Sequence, residues 1–164
     1  MTHRARIEEM LAAAAARHAA LLPQLPPHVR ASLPVDAQGI TEAIDHLAEA
    51  AGLSPAERRT LVRPHAVKPA VMHARVFGGA PLAQETVVAS FVEGARVRAD
   101  ALAWLADAAG GAALGAEVRA LLVEHPLPLA DEGQAAVPAL RAAYATQERA
   151  VVVIAARLDD RSAA

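Results

Sequence analysis

The sequence predicts an all-α fold, a single-domain bundle of five or six helices around a long central helix over about residues 81–109. Three observations carry that expectation. Roughly a quarter of the 164 residues are alanine while aromatics make up only 2%, a balance that suits helices far better than the aromatic-rich faces of strands. Val88, Val92, Ala95, Ala99, Leu102, Ala106 and Ala109 recur at alternating four- and three-residue steps, so they stack on one face of a 3.6-residue period. Finally, Pro81 and Gly110-Gly111 bracket this run with the start and stop residues that helices use. A second arc of Val87, Phe91 and Leu105, with Val97 and Trp104 nearly opposite, leaves only a narrow polar strip, and a helix so apolar all round is expected to be surrounded by others.

The remaining elements follow in order. Residues from about 4 to 22 form a first helix with Ile7, Met10, Leu11, Ala14, His18, Leu21 and Leu22 on one side, ended by Pro23. Residues 23–35, carrying Pro23, Pro26, Pro27 and Pro34, read as a crossover loop, of the kind that joins parallel neighbours in a bundle. Asp36 is placed to cap a second helix running to about Ala51, with Gly52 able to take the left-handed C-terminal conformation. Ser54-Pro55-Ala56-Glu57 then spells a capping box with proline at the first helical position, so a short third helix starts there. Beyond the central helix, a short helix from about Leu114 to Glu124 is closed by His125-Pro126. A second capping box is spelled by Asp131 and Gln134, and a last helix runs to about Leu158 with Leu140, Tyr144, Val151, Ile154 and Leu158 inward. Val152 and Val153 widen its apolar surface beyond one stripe, which calls for packing on two sides or for a second subunit.

Charge and cysteine usage narrow the function classes. A net charge of −2 provides no overall attraction to nucleic acid or anionic membrane. With no cysteine there is no disulfide, thiolate nucleophile or Cys-ligated metal, and a cytoplasmic location is expected. No uncharged apolar run reaches the length of a membrane span, and Glu8, Glu9, Arg17 and His18 interrupt the N-terminal run that a secretory signal would need. No nucleophile elbow, His-Glu-x-x-His or phosphate-binding glycine loop occurs, so no catalytic residue is assigned.

Three constellations remain as candidate sites. Glu42, His46 and Glu49 share a face of the second helix, and carboxylate plus imidazole is the donor chemistry of a divalent metal, although the same face fits solvated charge. Arg58, Arg59, Arg63, Lys68 and Arg75 concentrate positive charge that could contact an anion. His18, Arg98 and Gln147 are polar residues on apolar faces and could line a ligand pocket, or satisfy one another in the core, with Gly94 one turn from Arg98 leaving room for an approaching group. The expectation is therefore a non-catalytic cytoplasmic interaction or assembly protein, forming a homo-oligomer through the flank that carries Val152 and Val153, with no cofactor. The alternatives are a small-ligand or metal-binding bundle and, last, anion or nucleic-acid binding through residues 58–75.

Overall fold

The computed structural model describes residues 1–25, 27, 30, 37–61, 84–129 and 132–164, and among them every regular element is helical. Helix α1 (His3–Leu21) begins with two devices that satisfy its otherwise unpaired N–H groups. The Thr2 hydroxyl accepts from the Ala5 N–H at 3.1 Å, and the Asp159 carboxylate, from the far end of the chain, accepts from His3 N at 2.7 Å and Arg4 N at 3.0 Å. A short 3₁₀ turn (Leu22–Gln24) holding Pro23 ends it. Most of the predicted crossover over 23–35, the Asp36 cap, Pro81 and the Asp131–Gln134 box lie outside the described residues.

Helix α2 (Ala37–Ala50) runs antiparallel to α1, and Gly39 meets Ala14 so closely that a Cβ there would collide with the alanine methyl. Gly52, at φ 86°, then closes α2: its N–H donates to Glu49 O at 3.0 Å and Leu53 N donates to Ala48 O at 3.0 Å, the paired bonds of a Schellman end. The capping box forms as the sequence spells it, with Ser54 N donating to Glu57 Oε2 at 2.7 Å and Glu57 N to Ser54 Oγ at 3.2 Å. It starts helix α3 (55–61), which Arg58 clips onto α2 through two bonds to Asp45 at 3.1 and 3.0 Å.

Helix α4 (Gln84–Leu122) is the long central element, and it is broken once, at Gly111 (φ 73°, ψ −167°). That positive φ is open to glycine at little cost and strains any residue with a Cβ. The chain leaves it in a new direction, and the second arm (112–122) folds back beside the first (84–110). Asp107 of the first arm takes a bidentate pair from Arg119 of the second, at 3.0 and 2.5 Å, and the carboxylate occupies the space that a side chain at Gly115 would fill. Leu114 and Val118, both fully buried, supply the packing that holds the fold-back, each worth roughly 1.5–3 kcal/mol.

After a 3₁₀ turn (Gly133–Ala136), helix α5 (Val137–Ala163) starts with Pro138 in its first turn and runs parallel to the first arm of α4. Phe91 and Ala95 meet Tyr144 and Gln147 at one end, and Arg161 donates to Ala109 O at the other. Against the second arm α5 is antiparallel, with ion pairs Glu124–Arg149 at 2.6 Å and Glu117–Arg157 at 3.8 Å. The core where these elements meet α1 and α2 holds Leu102, Leu105, Tyr144 and Ile154 with Ile7, Ile40, Ile44 and Leu47. No helix among the described residues is long and apolar enough to cross a membrane.

Six of the seven stripe residues of the central helix are buried, and Ala99 is half-buried. The expectation that neighbours enclose this helix on every side needs correcting at Trp104, which stays 45% exposed because α2 and α5 pack on other faces of the helix.

A histidine pair closes α1 onto α2 beside the Asp159 contact. His3 Nδ1 and His46 Nε2 stand 3.3 Å apart with ring centroids 5.4 Å apart, a hydrogen bond that needs one nitrogen unprotonated. Burial first, then the charges of His3 and Arg6, push the His46 pKa below the ordinary imidazole value, against the opposing pull of Glu49 and Asp45. A lowered pKa in the folded state means that the unfolded chain binds the proton more tightly, so this contribution is complete above the ordinary imidazole range and is lost as pH falls through the lowered folded value. Asp159 is half-buried, which works to raise its pKa, yet the N–H groups of Arg4 and His3 outweigh that and hold it below the usual carboxylate value, so its own contribution is lost only in stronger acid. Melting curves between about pH 7 and about pH 5, the imidazole window, are expected to show the wild type losing more stability than His46→Gln; equal slopes would remove the histidine pair from the account.

Candidate functional site

The sequence-predicted polar residues of the core come together in part. Arg98, on the first arm of α4, is 2% exposed and reaches across to α5. Its NH2 donates to the Tyr144 hydroxyl at 2.8 Å and its Nε to Gln147 Oε1 at 3.4 Å, while its guanidinium carbon lies 5.0 Å from the centre of the Tyr144 ring. Tyr144 passes the interaction on by donating to Phe91 O at 3.2 Å, and Gln147 Nε2 donates to Ala95 O at 2.7 Å. The two α5 side chains thus spend both their donor and their acceptor atoms on the arm that carries Arg98. The guanidinium also lies over Gly94, whose missing side chain makes room for it.

Among the described residues no carboxylate partners Arg98. Burial accordingly lowers its pKa from the ordinary guanidinium value, with the Tyr144 hydroxyl working the other way, and burial likewise raises the phenol of Tyr144. Tyrosine, absent from the predicted set, is therefore the hinge of the group; only its position one turn before Gln147 on the same face hinted at this. His18 is half-buried on α1 and is not among the partners of Arg98 or Gln147.

Members of the other predicted sets have separate surroundings. Glu42 faces Arg17 at 3.7 Å, Glu49 faces Arg58 at 3.5 Å, and His46 faces His3, so each member of the proposed metal triad is turned toward a different partner. Among the described residues no three histidine, aspartate or glutamate side chains converge. Of the basic set, Arg58 is held by Asp45 and Arg59 is exposed, while Arg63, Lys68 and Arg75 lie outside the described residues. Val152 and Val153 are half-buried against the core of their own chain.

What the residue patterns did not reveal is a cleft of about 510 Å³ between the two arms of α4, the turn that follows them and α5. Ala99 and Ala103 form one wall, Leu122, Val123 and Leu127 the other, and Ala143, Thr146 and Gln147 the floor, with Asp100, Arg119 and His125 around it. Two physical facts make it. The elbow at Gly111 folds the second arm back without bringing it into full contact, and alanines at 99, 103 and 143 leave unfilled the volume that larger side chains would take. Gln147 belongs to both features, so the Arg98 cluster braces the cleft floor.

Removing the Tyr144 hydroxyl leaves a buried guanidinium N–H and a backbone carbonyl short of a partner, so Tyr144→Phe is expected to cost about 1–3 kcal/mol in urea denaturation. Arg98→Met, which removes the buried charge altogether, should cost less, because an apolar replacement of similar volume escapes the desolvation penalty. In the double variant the loss should fall short of the sum by about 0.5–3 kcal/mol; strict additivity would show that the two side chains do not stabilise each other.

No protein-family model, curated protein or solved structure matches this chain, so the chemistry of the cleft rests on its own residues.

Proposed function

We propose that the protein is a non-catalytic helical binding protein that holds a small ligand in the cleft between the arms of α4 and α5. The observation that carries this reading is the cleft itself. Its volume of about 510 Å³ falls inside the range of roughly 300–1,000 Å³ typical of small-molecule sites, and its apolar walls with a few polar atoms at the floor are the usual composition of such sites. The floor is braced by the Arg98–Tyr144–Gln147 group, which supports a pocket that is already shaped before its ligand arrives. In this reading the protein works in the cytoplasm.

A second reading, self-association, draws on Trp104. A tryptophan left 45% exposed on the central helix is the residue type that anchors protein interfaces, and it takes over the role that sequence placed at Val152 and Val153. In that reading the protein assembles as a homo-oligomer through the open side of α4.

Two measurements separate these readings. A thermal-shift screen of chemically diverse small molecules is expected to yield at least one that raises the melting temperature of the wild type but not of Ala103→Phe, whose ring fills the cleft; a flat response to the whole screen would end the ligand reading. Sedimentation velocity across a concentration series decides the other. Assembly predicts a larger species that Trp104→Ser shifts back to monomer, and a wild type that stays monomeric at high concentration rejects it.

A further inference from the structure

We infer that the cleft selects a neutral, apolar molecule and discriminates against the same molecule carrying an acidic group. This rests on the cleft being a ligand site, and it comes from following each polar group on its lining to the partner it already has. Arg119, the cation that an acidic ligand would seek, is held by both oxygens of Asp107, at 3.0 and 2.5 Å. Its charge is paired there, and two of its N–H groups point to the first arm of α4.

Asp100 is exposed and lies beside Arg96 at 3.6 Å, on the same helix. At the floor, the Thr146 hydroxyl donates to Ala143 O at 2.7 Å. Gln147 commits its amide nitrogen to Ala95 O and its oxygen to Arg98. His125 is exposed at the edge.

An ionised carboxylate or sulfonate entering this space would shed part of its hydration shell and meet a cation already paired with Asp107, with the Asp100 carboxylate beside it, which is an unfavourable exchange. To capture Arg119 it would have to displace Asp107 from a bidentate pair and leave that carboxylate over Gly115 without its partner. An uncharged ring or short alkyl chain meets no such cost. It gains contact with Ala99, Ala103, Leu122 and Leu127, and displaces water from an apolar wall.

The test uses two fluorescent probes that share one ring system: phenylnaphthylamine, which is neutral, and anilinonaphthalenesulfonate, which adds a sulfonate. Titrated against the full chain, the neutral probe is expected to bind at one site per chain and about tenfold or more tighter than the sulfonate. Its binding should be lost in Ala103→Phe. Ala99→Leu, from the same wall, serves in place of Ala103→Phe if circular dichroism shows that variant unfolded.

Sulfonate binding as tight as the neutral probe, blocked by the filled cleft and weakened by Arg119→Gln, would overturn the inference while leaving the cleft as a ligand site. Absence of binding by both probes, or binding that neither filled-cleft variant reduces, would overturn the cleft reading itself.

Discussion

The change of direction at Gly111 is the constraint on which the rest of the α4–α5 architecture depends. A helix that continued through this point would carry Leu114 and Val118 away from the core, and α5 would lose the neighbour that Glu117 and Glu124 provide. Because φ there is 73°, the position is open to glycine and strained for residues with a Cβ. The fold-back is then held by two further small-residue contacts: Gly110 beside Leu114, and Gly115 beneath the Asp107 carboxylate. One backbone dihedral and two missing side chains thus turn a long helix into two layers, and the cleft is the gap between them.

The Arg98 group answers a different problem, that of register. Apolar stripes on two parallel helices can slide by a turn at modest cost when much of the contact is alanine, since alanines interlock poorly. A guanidinium, a phenol and a carboxamide that satisfy one another and two backbone carbonyls admit only one relative position, because any slip would leave buried polar atoms without partners. The same group forms part of the cleft floor through Gln147, so the shape of the cleft and the register of α4 on α5 are set together.

At the other end of α5, Asp159 ties the first residues of the chain to the last helix, and the His3–His46 contact ties them to α2. These polar links stand where apolar packing is thinnest: Ile7 and Ala14 are the only buried residues of α1 among those described. Hydrogen bonds to helix N–H groups and between imidazoles therefore hold α1 where alanine cannot bury enough surface to do so.

Local structure was legible in the sequence because its causes are local. The capping box at Ser54–Glu57, the left-handed end at Gly52 and the stripe from Val88 to Ala109 each follow from the conformational preferences or periodicity of a few adjacent residues. Partner choice is not local. That Glu42, His46 and Glu49 face Arg17, His3 and Arg58 was decided by which elements lie alongside α2, and the pattern of one helix carries no information about that. The cleft was equally invisible, for its lining comes from three separate stretches of chain, and small residues look alike in sequence whether a neighbour covers them closely or stands off. Gly110-Gly111 could be read as a stop; that the next helix would fold back, and leave a space behind it, was settled by where Leu114 and Val118 could be buried.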